Sequence, residues 1–396
     1  MLKIAKSVNF FPRRFRSLQN GLPTIMELRS TMEKHVASGQ NYVAPEFNPD
    51  KAHPPSASVT RCIIPLSNNP ECQIRYINAS GQARSRFGVL LEDLDMFAVW
   101  LAFKHNQPVG VPMGTQAHHP MLIVTACVDR ILMADKISRS DLDIIMDGYI
   151  SWVGKSSIEA TMTLKQKYSE TDLRDILTAK FVMVSQDPKT RKSVRNVPLL
   201  LETEEDKEAF YQGEHAKNQR IAREKNSLLK TVPTEEERNI LHEIFLKTIN
   251  EQSHTFERHL PPGHVWMQDA KLKNAIICFP IKRNLYGKIF GGYLMRLAFE
   301  TAWANAAALS HARPRVVDVD NIMFRRPVEV CYSTTELMQV SVDAQVLNLS
   351  TGKKDLTNTF QFTFESEVKE KEVPIVIPRT YEDGILYLNG RRHAIQ

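Results

Sequence analysis

Two segments of the chain are apolar on nearly every side of a helix, and each begins at a glycine. The first runs from Gly88 to Ala102, and the second runs from Gly292 to Ala308. A surface helix carries one apolar stripe, whereas a helix that is apolar nearly all round must be enclosed. The pattern therefore predicts two buried helices, each surrounded by other elements.

Strand-like segments lie on both sides of each predicted helix. Short apolar runs precede the helices, and longer segments with period-two alternation and many β-branched and aromatic residues follow them. The short runs cover residues 61–66 and 274–280, and the longer ones cover 147–167, 178–185, 336–349 and 356–364. One apolar helix followed by antiparallel strands, present twice, indicates an α+β protein.

The two halves also share a Val-Asp-x-Ile element, at residues 128–131 and 319–322. Asp129 lies 41 residues after Gly88, and Asp320 lies 28 residues after Gly292. The first half therefore carries extra residues, which we assign to the Pro/Gly/His loop at 107–120. Together these features predict an internal repeat.

The repeat and the composition between its copies predict the domain boundaries. Residues 202–257 are rich in Glu, Lys, Arg and Gln and show helical periodicity, which is typical of a solvated helical connector. We expect a transit peptide at 1–26, a first domain at 60–200, a helical connector at 201–257, a second domain at 258–370 and a C-terminal tail at 371–396.

The net charge of +6 comes mostly from the N-terminal segment. Residues 1–26 hold five of the 51 basic residues and no acid, so the remaining 46 basic residues face 45 acidic ones. A nearly neutral body lacks the basic footprint of a nucleic-acid-binding protein, so we expect no nucleic-acid partner. A basic, acid-free segment with interspersed apolar residues predicts import into the mitochondrial matrix; the alternative is a disordered basic tail.

Several classes of site and anchor have no signal in this sequence. No run of about 18 apolar residues predicts a membrane span. The five cysteines form no CxxC pair, and His118 and His119 have no third ligand at a recognisable spacing, so we expect no metal. No Gly-x-Ser-x-Gly element predicts a serine esterase.

The glycines at the start of the second helix are candidates for substrate binding. Gly291 and Gly292 let a ligand approach the backbone, and the first N–H groups of a helix have no partner within it. With the positive end of the helix dipole, these groups suit a developing oxyanion. The alternative is that both glycines only permit tight packing.

Asp95 is the candidate catalytic residue of the first helix, since its neighbours along the helix are apolar. An unpaired carboxylate there costs several kcal/mol, so a partner or a function is required. As a general base it would take a proton from a water molecule. The alternative is a structural ion pair with Arg84, Arg86 or Arg130. We interpret Glu92 and Asp93 as acids that favour the helix start.

These residues resemble a known enzyme family. The segment Asn284-Leu285-Tyr286-Gly287-Lys288-Ile289-Phe290-Gly291-Gly292 resembles the Asn-x-x-Gly-x-x-x-Gly-Gly element of hot-dog acyl-CoA thioesterases, and Asp95, seven residues after Gly88, resembles their catalytic acid. The resemblance covers about residues 60–370 and is greatest to the two-domain mitochondrial branch. It implies a tandem (double) hot-dog fold, in which each antiparallel sheet wraps around a central helix.

The resemblance further implies that the two units pair side by side, with sites at their interface. Asn284 of one half would then meet Asp95 of the other and orient the water or the carbonyl; its alternative is an Asx turn. Aligning Gly88 with Gly292 places Ser80 and Phe299 at the equivalent positions of the mirror pocket. We therefore expect one competent site per chain, unless Glu300, one residue out of register, supplies a second acid.

The predicted function is hydrolysis of fatty acyl-CoA to free acid and coenzyme A in mitochondria, with no cofactor. Arg325 and Arg326 are candidate contacts for the coenzyme A phosphates. The resemblance also implies a homo-oligomer. Three alternatives remain at this point: a non-catalytic acyl-CoA sensor with the same fold, a hydratase or dehydratase of that fold, and an interaction scaffold.

Overall fold

The computed structural model describes most of the chain outside the N-terminal segment and several loops. The described residues are 21–38, 50–79, 84–114, 121–134, 138–169, 171–250, 256–277, 279, 289–323, 329–347, 354–368 and 372–395. The helices are α1 Ile25–Ser38, α2 Pro70–Tyr76, α3 Phe87–His105, α4 Glu204–Lys225, α5 Glu235–Lys247, α6 Gly291–Ser310 and α7 Tyr381–Ala394. The strands are β1 Thr60–Ile64, β2 Leu122–Met133, β3 Ile144–Val153, β4 Ser157–Lys167, β5 Leu173–Gln186, β6 His264–Trp266, β7 Pro314–Met323, β8 Glu329–Ser333, β9 Leu337–Leu347, β10 Lys354–Ser366 and β11 Ile375–Ile377.

Nine strands form one antiparallel sheet in the order β1-β3-β4-β5-β2-β7-β10-β9-β8. The two halves meet where β2 pairs with β7, with Ile131 opposite Val319. On either side of this pair the strand order is the same, β2-β5-β4-β3 in one direction and β7-β10-β9-β8 in the other. The sheet therefore has an approximate two-fold axis between β2 and β7, and the fold is the expected double hot-dog.

Within the described residues of the second half, the counterpart of β1 is reduced to one antiparallel bridge, between Lys271 and Glu329 of β8. A strand is predicted at 274–280, but residues 272–277 form none, and residues 278 and 280 lie outside the described part. In the first half Cys62 and Ile64 of β1 are fully buried, whereas Ile277 is 76% exposed. The edge strand β8 is covered differently, since the Val330 N–H donates to the Ala270 carbonyl. An apolar run without a core to face therefore gives no strand.

The apolar composition of α3 is explained by its surroundings. It packs against α6 and the strands β2 to β5, and five of its large side chains are fully buried, namely Leu90, Leu91, Leu94, Phe97 and Leu101. Each such side chain contributes about 1.5–3 kcal/mol to folding through removal from water. The helix α6 has the same relation to β7 to β10. Both predicted buried helices are therefore present.

The two central helices run antiparallel and approach closely at their N-termini. A Cβ atom at Gly292 would lie 2.9 Å from the Cα and the carbonyl oxygen of Glu92, and one at Gly88 would lie 2.9 Å from Cγ of Arg296. Backbone atoms cannot move aside as a flexible side chain can. Glycine at 292 is therefore required by this contact between the two helices.

An ion pair lies on the approximate two-fold axis between these helices. Arg296 Nη1 is 2.8 Å from Glu92 Oε2. Both residues are the fourth after their helix glycine, so they occupy equivalent positions of the two halves. In a two-fold arrangement, a residue on the axis contacts the equivalent residue of the other half. Here these equivalent residues are Glu92 and Arg296, which carry opposite charges.

The remaining helices pack around this double unit. The helix α1 lies against α3 and β1, and Ile25 is fully buried, so the transit-peptide boundary predicted at residue 26 falls inside α1. In the predicted connector, α4 and α5 each begin with a Thr capping box. In the predicted C-terminal tail, α7 packs on β8 and buries Leu388. None of the described helices is long and apolar enough to cross a membrane.

Replacing one partner of the axial ion pair is expected to destabilise the fold. Arg296→Met leaves Glu92 buried without its best partner, which costs about 3 kcal/mol of unfolding free energy. The double variant Glu92→Gln/Arg296→Met removes both charges and is expected to recover most of that loss. Urea denaturation of both variants measures the difference, and equal stabilities would contradict the proposed coupling.

Candidate functional site

The candidate site lies where the N-terminus of α6 faces Asp95 of α3. Asp95 is 1% exposed and accepts two hydrogen bonds. The backbone N–H of Gly292 donates to its Oδ2 at 2.6 Å, and the hydroxyl of Thr125 donates to its Oδ1 at 2.5 Å. One carboxylate therefore joins three elements, namely α3, the start of α6 and β2.

No arginine neutralises this carboxylate among the residues that the structure describes. The three candidate partners each face another acid: Arg84 contacts Glu367, Arg86 contacts Glu300 and Arg130 contacts Asp318. The structural ion pair considered for Asp95 is therefore absent. A buried carboxylate without a cation, held only by hydrogen-bond donors, is typical of a functional group.

The surroundings of Asp95 raise its pKa to about 6. Burial is the main cause, because it disfavours the charged form, and the negative charge of Glu92 adds to the effect. The hydrogen bonds from Thr125 and Gly292 act in the opposite direction, since they stabilise the carboxylate. The group is therefore ionised at neutral pH and is a stronger base than an exposed aspartate.

Thr125 was not found from the sequence. It lies within an apolar run, Val124-Thr125-Ala126-Cys127-Val128, in which a threonine is an ordinary strand residue. The pairing of β2 with β5 shifts register between Thr125 and Cys127. Such bulges re-aim side chains next to active sites, but nothing local in the sequence marks this one.

The two glycines at the start of α6 have different contacts. The Gly292 N–H is engaged by Asp95, whereas no described residue accepts a hydrogen bond from the Gly291 N–H. A Cβ atom at Gly291 would lie 3.3 Å from Asp95 Oδ2. The first N–H groups of a helix lack partners within it, so the Gly291 N–H has no partner inside α6.

Glu92 and Asp93 do not act at the helix start, contrary to the sequence interpretation. The helix α3 begins at Phe87 and has no acid in its first turn. Asp93 is fully buried, accepts a short hydrogen bond from the Tyr76 hydroxyl, and contacts Arg29 at 3.1 Å and Arg75 at 3.2 Å. Both acids therefore belong to ion pairs that join α1, α2 and α6 to α3.

Four candidate residues, Ser80, Asn284, Arg325 and Arg326, lie outside the described residues. Within the described part of the chain, no group of three or more His, Cys, Asp and Glu side chains is arranged to hold a metal ion.

The mirror position of the site contains two phenylalanines. The rings of Phe87 and Phe299 stand at the positions that Gly291 and Asp95 occupy in the candidate site, with centroids 4.9 Å apart. Glu300 lies beside them and accepts a hydrogen bond from Arg86 Nε at 2.7 Å. The axial pair of Glu92 and Arg296 fixes the alignment, so Phe299, and not Glu300, is the counterpart of Asp95.

Comparison with known proteins shows that this chain is similar to mitochondrial acyl-coenzyme A thioesterases over most of its length. Acyl-coenzyme A thioesterase 9, mitochondrial, of Homo sapiens is 40% identical over 379 residues, which are 93% of this chain and 82% of the relative. Acyl-coenzyme A thioesterase 10, mitochondrial, of Mus musculus is 39% identical over 399 residues, with 96% and 89% covered. The crystal structure of an apo-hexameric acyl-CoA thioesterase is 18% identical and covers 44% of this chain and 97% of its own, with a TM-score of 0.34. No model of a known protein family matches the chain.

The buried carboxylate is expected to lower stability at neutral pH. Because the pKa of Asp95 is about 6 in the folded state against 3.8 for a free side chain, its contribution is favourable below pH 4 and is lost as pH rises through 6. The loss amounts to about 3 kcal/mol. The asparagine in Asp95→Asn does not titrate. The stability of this variant relative to the wild type should therefore be higher at pH 8 than at pH 4.5, by up to that amount.

Urea denaturation at both pH values measures this gain. Asp175→Asn is a suitable control, because the Asp175 side chain is 49% exposed and retains its water contacts. An Asp95→Asn difference that does not change with pH would contradict the raised pKa.

Proposed function

The chain belongs to the acyl-coenzyme A thioesterases, and from this premise we propose that it hydrolyses fatty acyl-CoA to free acid and coenzyme A at the Asp95 site. The observation that carries the proposal is the buried Asp95 carboxylate, which has a pKa of about 6 and lies against the N-terminus of α6. A base that is ionised at neutral pH beside an anion-binding helix end suits hydrolysis of a thioester.

Asp95 acts as the general base in this proposal. A water oxygen attacks the thioester carbonyl carbon while its proton passes to the carboxylate, which gives a tetrahedral oxyanion. Collapse of this intermediate breaks the C–S bond, and the proton on Asp95 passes to the departing thiolate. Thr125 is a positioning residue, because its hydroxyl holds Oδ1 and directs the carboxylate.

The two glycines at the start of α6 have different roles in this proposal. The Gly292 N–H holds the base, so the Gly291 N–H is the donor that we assign to the thioester oxygen. The positive end of the α6 dipole stabilises the oxyanion further. Asn284, which precedes this helix in the sequence, is proposed to orient the water or the carbonyl.

A covalent route is the mechanistic alternative. Asp95 itself would attack the carbonyl carbon, release the thiolate and form an anhydride that water then hydrolyses. We favour the general base, because both carboxylate oxygens accept hydrogen bonds that reduce their nucleophilicity. A single turnover in oxygen-18 water tests the covalent route: label in the Asp95 carboxylate with unlabelled product acid would establish an anhydride that water opens at the Asp95 carbonyl carbon. Label only in the product acid would exclude that form of the covalent route.

Removal of the base is expected to abolish turnover. Asp95→Asn keeps the shape of the side chain and should lower kcat by about 10²–10⁴-fold. Free-thiol release from acetyl-, octanoyl- and palmitoyl-CoA measures the loss and also gives the preferred chain length. Full activity in Asp95→Asn or in Asn284→Ala would overturn the assignment, whereas Glu300→Gln in the mirror position should retain full turnover.

The activity should depend on the ionisation of Asp95. Plotted against pH, kcat/KM should rise through a pKa of about 6 and then level off. Thr125→Val removes a donor that lowers this pKa, so its profile should move to higher pH by about one unit. A profile that moves to lower pH, or not at all, would exclude Thr125 as the positioning residue.

Binding of coenzyme A is proposed to use arginines after β7. Arg325 and Arg326 follow this strand in the sequence, and guanidinium groups pair well with phosphates. The proposed reaction needs no cofactor, since water is the only other reactant. Arg325→Ala should raise KM and leave kcat unchanged, and an unchanged KM would remove the residue from the site.

The proposal places the protein in mitochondria, as for the named relatives, and more specifically in the matrix, which the basic, acid-free residues 1–26 support.

We also propose that the chain forms a homo-oligomer. The resemblance to double hot-dog thioesterases supports this assembly, and Ile277 and Phe279, which are 76% and 61% exposed, are candidate contacts with another subunit. Light scattering coupled to size-exclusion chromatography measures the mass of the assembly, and the mass of a monomer would contradict the proposed homo-oligomer.

A further inference from the structure

The mirror position of the site contains a cavity at the interface of the two halves. It has a volume of about 330 Å³ and lies beside the N-terminus of α3. Three of its lining residues are the counterparts of Asp95, Gly291 and Thr125 under the approximate two-fold axis. They are Phe299, Phe87 and Val316. The cavity is therefore the mirror image of the space next to the proposed base.

The register of the sheet supports this correspondence. Aligning Gly88 with Gly292 relates the two central helices, and aligning the two Val-Asp-x-Ile elements relates β2 to β7. Where these strands pair, Ile131 lies opposite Val319 and Val128 lies opposite Ile322, as a two-fold axis requires. Other residues that line the cavity can therefore be related to their counterparts in the Asp95 site.

The largest side chain that lines the cavity is Trp303, and its counterpart is Val99. The indole Nε1 of Trp303 donates to the Pro314 carbonyl at 3.0 Å, so this ring joins α6 to β7. The counterpart of Pro314 is Ile123 of β2. The side chain of Val99 is much smaller than an indole and cannot join α3 to β2 in the same way.

Val99 and Ile123 continue the Asp95 site in one direction. Val99 is four residues after Asp95 on α3, so the two side chains are neighbours on one helix face. Ile123 is two residues before Thr125 on β2, with no register shift between them, so both face the same side of the sheet. Val99 and Ile123 are 8% and 6% exposed, so neither is completely covered. An apolar path therefore leads away from the base between α3 and β2.

We propose that the acyl chain of the substrate runs from Asp95 past Val99 and Ile123, and that the size of residue 99 sets the chain length that the enzyme accepts. The inference rests on the proposed function, since it requires a thioester carbonyl at Asp95. The acyl chain then begins beside the base, and apolar side chains beyond the base suit a hydrocarbon. Val99 is thus a specificity-determining residue.

The first test exchanges the two counterparts. Val99→Trp gives the Asp95 site the side chain that Trp303 provides at the mirror position, so it should block the acyl path. The ratio of kcat/KM for the longest acyl-CoA that the wild type hydrolyses to that for acetyl-CoA should fall about 10-fold or more. The reciprocal variant Trp303→Val changes the mirror cavity and should leave this ratio unchanged. An unchanged ratio in Val99→Trp, or an equal fall in Trp303→Val, would overturn the proposal.

Two smaller substitutions separate the size of residue 99 from an effect on folding. Val99→Leu adds one methylene and should move the chain-length preference towards shorter acyl groups. Val99→Ala removes two methyl groups and should move it towards longer ones. Loss of folded protein cannot change the preference in opposite directions. A preference that moves the same way in both variants, or in neither, would contradict the assignment.

The pantetheine arm of coenzyme A is the other part of the substrate that could pass Val99. In that case Val99→Trp would raise KM equally for acetyl-, octanoyl- and palmitoyl-CoA. An equal rise for all three would overturn the proposal, whereas a rise that grows with chain length supports it.

Binding measurements separate this inference from the proposed hydrolysis. Full-length Asp95→Asn protein, with and without Val99→Trp, is titrated calorimetrically with the ethyl, octyl and hexadecyl thioethers of coenzyme A, which cannot be hydrolysed. Val99→Trp should weaken binding of the hexadecyl thioether about 10-fold more than binding of the ethyl thioether. Absence of thiol release from every acyl-CoA in the wild type would refute hydrolysis, and these affinities would still test the acyl path. An equal loss of affinity for all three thioethers would overturn it.

Discussion

The contact between α3 and the N-terminus of α6 determines most of what this protein can do. Because Gly292 has no side chain, its backbone reaches the α3 backbone at Glu92 and places its N–H on Asp95. The same contact excludes water from the carboxylate and raises its pKa to about 6. Burial, orientation and basicity of the proposed catalytic group thus arise from one backbone approach, and stability is lost where function is gained.

Fusion of two hot-dog units in one chain allows the two interface positions to differ. In a homodimer, equivalent sites would be identical by symmetry. Here one position has Asp95 with Gly291, and the other has Phe299 with Phe87. Two aromatic rings therefore pack against each other at the position that is equivalent to Asp95 and Gly291.

The sequence predicted the features that depend on periodicity and on short motifs. The two buried helices and the α+β arrangement followed from apolar patterning, and Asp95 stood out because a carboxylate is unusual among apolar neighbours. Thr125 could not be found, since its role depends on a bulge and on contact with a residue 30 positions away. The strand predicted at 274–280 was wrong for the described residues 274–277 and 279, whose large apolar side chains are exposed. Glu92 and Asp93 were misread because their arginine partners lie on other helices.

The axial ion pair also has a consequence for how the halves recognise each other. Two copies of the first half would bring Glu92 against Glu92 at the axis, and two copies of the second would bring Arg296 against Arg296. Like charges facing each other in a largely buried contact are strongly unfavourable, so homotypic pairing is discouraged. When several chains are synthesised close together, this repulsion disfavours pairing between the first halves of two different chains. It therefore favours pairing of each first half with the second half of its own chain.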